Sequence, residues 1–290
     1  MGSEMCIRDR LRGILNGTSN FIVSEMEKGA DYAGAVAEAQ ALGFAEADPT
    51  MDVDGSDAAQ KLAILAHLAF GARVHWGDIP RIGIDDLSTL DLQFAKELGY
   101  RIKLLAVAQL ADGENMDGGL DLHVSPTLVK HGTPLAEVRG ANNAVSVVGD
   151  AVGRVFFHGL GAGQMPTASA VVGDMIDMAV GRTQLTFQTL KLWSQQKARV
   201  EARDHALAPG RYYLRLLVDD HPGVLSGVTG ALGKHNISIA SVIQHEPQKT
   251  DDGQQVPLVI MTHTAAEGDI QNAVAEINAL ENVQLSLIHI

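Results

Sequence analysis

An α+β fold is predicted, a mixed sheet with helices on one face followed by a small βαββα unit. Three observations predict it. Helical patterns fill residues 16–98, short β-rich segments bounded by Gly, Asp, Asn and Pro begin at Tyr100, and from Tyr212 the order strand, helix, strand, strand, helix recurs. At 290 residues the chain is long enough for two domains, each with its own core.

Composition narrows the class. A hydrophobic content of 46% is ordinary for a globular protein, and a net charge of −13 argues against nucleic acid or an anionic membrane as partner. The apolar run LAILAHLAF is interrupted by His67, well short of the roughly eighteen residues that span a bilayer. With no secretory pattern and a single cysteine, Cys6, a reducing cytoplasmic setting is expected. Eleven histidines show no ligand spacing, so no metal site is expected. Both ends break the pattern. MGSEMCIRDR lacks an amphipathic period and LSLIHI adds an apolar tail; both resemble translated sequencing-adapter read-through. Residues 1–10 and 285–290 are therefore expected to lie outside the fold, and the native part to begin in mid-protein.

Residues 16–28 read as an Asn16-Gly17 turn feeding a helix capped by Thr18 or Ser19, and 31–42 as an alanine-rich helix capped by Asp31 and ended by Gly43. A loop follows with Glu46, Asp48, Asp52 and Asp54, then a helix capped near Asp54 or Ser56 and stopped by Gly71. Residues 76–90 form a polar connection and 92–98 a short helix. RIKLLAVAQL, LDLHVSP, AVSVVGD and GRVFFHG are strands, with a turn-rich connection or helix at 128–138. After Gly159-Leu160-Gly161-Ala162-Gly163 a helix runs over about 166–180, and 183–210 is a linker with helical character around 190–202. In the last unit YYLRLLV, ISIASVIQHE and VPLVIMTH are strands, QKTDDGQQ is a hairpin turn, 220–236 is a loop and helix, and 267–280 is a helix.

The chemistry concentrates between residues 45 and 71. Asp57 and Lys61 stand four apart, one above the other on a helix that is apolar nearly all round, so the pair should be partly buried. A surface ion pair worth a few tenths of a kcal/mol explains them as well as a lysine tuned for proton transfer does. The glycine run could meet an anion at the next helix N-terminus, but Gln164 stands where a dinucleotide fingerprint needs its third glycine, and close packing explains the run without a ligand. His158 is read as a packed strand-end residue.

LRGILNGTSNFI (11–22), EADPTMDVDGSDAAQK (46–61) and GLGAGQMPTASAVVGD (159–174), in this order, resemble the catalytic part of the homoserine dehydrogenase family over roughly residues 11–178. The resemblance implies a catalytic domain at 11–182, with Lys61 as proton donor, Asp57 beside it, and Glu46 and Asp52 in the amino-acid substrate pocket. Gly17 and Thr18 would line the substrate and nicotinamide side. Backbone at Gly161 and Gly163 would touch NAD or NADP held mainly elsewhere. It implies interconversion of L-homoserine and L-aspartate 4-semialdehyde. The family's nucleotide-binding domain, which carries a second active-site lysine, precedes the NGTSN motif, so this polypeptide alone is expected to be inactive. Residues 211–284, with the loop Asp220-His221-Pro222-Gly223-Val224-Leu225, resemble the ACT domain, of ferredoxin-like βαββα order. That resemblance implies an amino-acid effector, threonine first, at Asp220, Gly223, Val224 and Leu225, in a homo-oligomer of paired modules. Its closing strand after Asn282 is expected to be cut short by the tail. Two other readings stay open: an amino-acid-sensing dimerisation module without catalysis, and a nicotinamide-dependent dehydrogenase of a different polar substrate.

Overall fold

A computed structural model describes residues 8–111, 118–193, 197–219, 222–244, 255–280 and 283–289. Its front half runs β1 (Arg8–Ile14), α1 (Gly17–Met26), α2 (Tyr32–Ala41), α3 (Thr50–Val53), α4 (Ser56–Phe70), α5 (Thr89–Glu97), β2 (Tyr100–Leu110), β3 (Leu120–Lys130), β4 (Asn142–Gly149) and β5 (Gly153–Leu160). Then come α6 (Gln164–Ala179), α7 (Arg182–Thr189), β6 (Pro209–Gly210), β7 (Tyr212–Asp219), α8 (Val224–Lys234), β8 (Ile239–Gln244), β9 (Gln255–Thr262), β10 (Ala265–Ala266), α9 (Glu267–Asn278) and β11 (Val283–His289). β6 and β10 pair as a two-stranded ribbon. The other strands form a single nine-stranded sheet of order β5-β4-β1-β2-β3-β11-β7-β9-β8.

The α+β class is borne out, and the front helices cover one face as expected. Ile22, Ala59, Leu62, Phe70 and Phe94 meet Leu104, Leu122 and Val124 of the sheet in one core. The opposite face carries a smaller cluster, in which Leu135 and Val138 cover Leu105 and Val107. The pleat explains the division, since alternate residues of β2 serve opposite faces.

Several expectations need correction. The described parts of the ends, residues 8–10 and 285–289, do not lie outside the fold. Arg8, Asp9 and Arg10 belong to β1, which pairs with β2 and β4 inside the sheet. Leu285 to His289 belong to β11, which closes the last unit by pairing antiparallel with β7 and joins the halves through a parallel pairing of His289 with Thr127. Ile288 is buried there. Asn16, not Thr18 or Ser19, caps α1: its side chain accepts from the Ser19 N–H at 2.7 Å. Part of the acidic loop is helical (α3). The helix of the linker is α7, at Arg182–Thr189, and stops where it was expected to start. The turn-rich stretch begins only after β3 ends at Lys130. Of the QKTDDGQQ turn, residues 248–254 lie outside the described residues, as does Asp220, while Gln255 already belongs to β9.

The last unit does not sit apart from the first, and its strand pattern shows why. Tyr212, Leu214, Leu216 and Val218 face α8 and α9 in one core. The alternate residues Tyr213 and Arg215 face α5 of the front half. Asp91 of α5, with no exposed surface, accepts from Arg215 Nε at 2.6 Å, Arg215 Nη2 at 3.0 Å, the Tyr213 hydroxyl at 3.3 Å, and Ser88 in a capping box. Every acceptor site of this buried carboxylate is engaged, which is what burial of a charge requires.

A second buried charge braces α1. Lys103 of β2 donates to Asn20 Oδ1 at 3.0 Å and Val138 O at 2.8 Å. Asn20 Nδ2 in turn reaches the carbonyls of Val138, Gly140 and Asn142. Burial lowers the Lys103 pKa from 10.5 to about 8. Between those values the unfolded chain holds the extra proton, so this group favours folding more as pH rises from about 8 toward 10.5. Lys103→Met is expected to flatten that rise, worth on the order of 3 kcal/mol, in urea midpoints measured across the window. An unchanged slope would count against a buried ammonium.

Candidate active site

Asn16 is the hub of the site. Its Nδ2 donates to Asp52 Oδ1 at 2.7 Å and to Asp57 Oδ2 at 2.8 Å, joining α3 and α4 to the start of α1. Lys61 Nζ reaches the same Asp57 oxygen at 2.7 Å and the Leu15 carbonyl at 3.0 Å. Thr18 donates its hydroxyl to Phe44 O at 2.7 Å. Burial raises the Asp52 pKa, opposed by the Asn16 hydrogen bond and reinforced by Asp57.

Local sequence explains the placement. Gly55 at φ +83° turns the chain from α3 into α4, while Asp54 accepts from the Ser56 N–H and hydroxyl at 2.8 Å each. That turn sets Asp52 and Asp57 on the same side, facing Asn16. Gly17 is needed for close approach: a Cβ there would stand 2.7 Å from Ala141 O.

The expected partial burial of the pair holds for Asp57 but not for Lys61 or the face below it. Lys61 is 47% exposed and Asp57 26%, and Ile64 and Leu68 below them are open, because α4 packs through Ala58, Ala59, Leu62, Ala66 and Phe70. The lysine is anchored at its head yet reachable from solvent. Glu46 lies on the exposed stretch after Phe44, and no hydrogen bond among the described residues ties its carboxylate to the cluster. Its backbone carbonyl accepts from Gln40.

The glycine run comes to the same place. Asn143 of β4 donates to the Leu15 carbonyl at 3.0 Å, the oxygen that also holds Lys61. A Cβ at Gly161 would collide with that Asn143 amide at 2.2 Å. Gly163, at φ +117°, caps the N-terminus of α6. Asn16 and Asn143 were not singled out as site residues from sequence. Asn16 stood inside the quoted NGTSN motif and read as a turn; Asn143 sits in an Asn pair at a strand start and carries no local signal. In the last unit, Gly223 at φ +104° caps α8, and Val224 and Leu225 open that helix.

Residues 6–176 match the family model for homoserine dehydrogenase. The chain belongs to the homoserine dehydrogenase family. Residues 212–282 match the ACT domain model. Homoserine dehydrogenase of Pseudomonas aeruginosa is 43% identical over 97% of this chain and 64% of its own length. That of Synechocystis is 43% identical over 94% of this chain and 63% of its length. The crystal structure of a homoserine dehydrogenase from Thiobacillus denitrificans superposes with a TM-score of 0.85 at 41% identity, over 97% of this chain and 64% of that one. The chain thus spans slightly under two thirds of these homoserine dehydrogenases. Among the described residues no helix is long and apolar enough to cross a membrane.

Proposed function

We propose that this chain supplies the substrate site and proton-transfer group of a homoserine dehydrogenase interconverting L-homoserine and L-aspartate 4-semialdehyde. The observation that carries the reading is the shared hydrogen-bond cluster of Asn16, Asp52, Asp57 and Lys61, with Lys61 open to solvent on its outer side. In reduction, Lys61 donates a proton to the oxygen of the carbonyl as negative charge develops on it; in oxidation it takes that proton back. Asp57 and the Leu15 carbonyl hold the ammonium in place. Asp52, with Glu46 on the rim, receives the substrate's ammonium group.

The glycine segment suits an NAD or NADP cofactor in a limited way. Gly161 allows close approach beside Asn143, and Gly163 opens a sixteen-residue helix whose first N–H groups face an exposed region. When bound, the cofactor supplies or accepts the hydride. α6 has no buried residue and exposes Met165, Val172, Met175 and Ile176. Such an apolar face suits docking of the third of the relatives' length that this chain does not span.

The ACT unit extends the reading to control by an amino acid, threonine first, at Gly223, Val224 and Leu225 with Asp220, within a homo-oligomer. Support comes from the α8 N-terminus and from the open edges of the nine-stranded sheet at β5 and β8. The test is a chimera of the P. aeruginosa relative in which this chain replaces the matching 64%. Reduction of aspartate semialdehyde with NADH or NADPH is expected. A folded chimera without turnover would reject the assignment.

A further inference from the structure

β1, β4 and β5 form one end of the sheet, and their pleat settles which side chains share the face turned away from the front helices. Leu11 of β1 and Val145 and Val147 of β4 pack into the helix-side core. The residues that alternate with them, Arg10, Arg12, Ser146 and Val148, therefore stand on the other face. Phe156 of β5 packs there with Leu105 and Leu135, so Arg154, two residues before it, stands there as well. The register then gathers the cations. Arg10 lies beside Val148 and Val148 beside Arg154, while Arg12 lies beside Ser146. Arg10 and Arg154 are two strand spacings apart, roughly 10 Å at the backbone.

All three arginines line one cavity of about 300 Å³, to which Arg211 and Lys130 also contribute and no Asp or Glu does. The chain as a whole carries a net charge of −13, so this basic wall runs against its general character. Arg101, Arg182, Arg203 and Arg215 each stand within ion-pair distance of an acid. Among the described residues, Arg10, Arg12 and Arg154 have no such partner and no side-chain hydrogen bond. The Nε of Arg12, closed off from solvent, is left without an acceptor.

The three charges also oppose one another. Burial first, then Arg10 and Arg154, bring the Arg12 pKa down to about 10. Burial and Arg154 lower that of Arg10, against a smaller opposite pull from Asp9. Guanidiniums ordinarily titrate well above this range, so the fold holds like charges together at a cost that an anion between them would offset.

We propose that this cavity binds a multiply charged oxyanion of the phosphate class, free or carried by a small molecule. Each guanidinium offers a planar fork of N–H donors that matches two oxygens of such a group. Arg211 spends its Nε on Thr262 O at 3.2 Å and keeps its other donors. The Ser146 hydroxyl, between Arg12 and Phe156 in the register, can donate to a further oxygen. A free amino acid suits the site poorly, because no acid on the wall meets its ammonium and a lone carboxylate brings one charge to three cations. Lys61 belongs to a helix packed on the opposite face, so binding here requires neither the substrate cluster nor turnover.

The test is calorimetry on the 290-residue chain with inorganic phosphate, pyrophosphate and ADP at fixed low ionic strength. Pyrophosphate is expected to bind saturably, about threefold or more tighter than phosphate, and to weaken as sodium chloride is raised. ADP that only matches pyrophosphate points to the free anion, and ADP about tenfold tighter points to a phosphorylated small molecule. Arg12→Gln and Arg154→Gln are each expected to weaken pyrophosphate by about tenfold or more, and Arg12→Lys by less. Arg182→Gln, which removes the same charge from exposed α7, is expected to leave binding unchanged. Arg154→Gln should also raise the melting temperature of the anion-free chain, because a repulsion is relieved. Absence of saturable binding by either phosphate anion would overturn the site. So would binding untouched by both Arg12→Gln and Arg154→Gln, or lost equally with Arg182→Gln. A lower melting temperature for anion-free Arg154→Gln would reject it too, as the mark of an arginine already paired. A dimer that binds no pyrophosphate and that Arg154→Gln splits would assign the face to a second copy instead.

Discussion

Replacing Lys61 with alanine in the chimera is expected to lower kcat by about 10²- to 10⁴-fold, the usual range for losing a general acid, with a smaller change in KM. Lys61 is the cationic member of the Asn16–Asp52–Asp57 cluster, and it presents its ammonium to solvent while Asp57 and the Leu15 carbonyl hold it. As an ion pair it contributes little stability, since surface pairs are worth about 0–1 kcal/mol. A change in urea midpoint should therefore stay small while turnover collapses. That split separates a proton-transfer role from a structural one. Lys61→Arg keeps the charge but gives up the proton less readily, so it should recover only part of the loss. A kcat within twofold of the parent would remove Lys61 from the mechanism.

Arg215→Leu is expected to cost about 3–5 kcal/mol, because it leaves Asp91 buried and without its cation. Asp91 has no exposed surface and Arg215 is 7% exposed, so water is poorly placed to replace the lost partner. The double variant Asp91→Leu/Arg215→Leu is expected to recover much of the loss, since both charges are then gone, apart from the capping bonds Asp91 makes with Ser88. Because the pair spans the two halves, the single variant should also split one urea transition into two. A loss below about 1 kcal/mol would show that the halves are held chiefly by the apolar contacts around Tyr213, Val259 and Ile288.

The sequence by itself determined the local elements and singled out the candidate site residues. Period and punctuation located the α2 cap at Asp31, the stop of α4 at Gly71, and the strands from Tyr100 to Leu160, because caps, glycines and alternation act within a few residues of themselves. The quoted motifs likewise pointed to Asp52, Asp57 and Lys61, and the family match covers those segments.

Tertiary structure decided what depends on partners distant in the chain. Asn16 looked like a turn residue until α3 and α4 brought two carboxylates to its amide, 36 and 41 residues away. Lys61 looked partly buried because its helix is apolar nearly all round, yet only packing selects which stripe meets the sheet. Residues 8–10 and 285–289 carry no period of their own; they become strands because neighbouring edges offer unpaired N–H and C=O groups, a demand no local pattern records. The same holds for the seam. Tyr213 and Arg215 point away from their own core, and only the position of α5 shows that Asp91 waits for them.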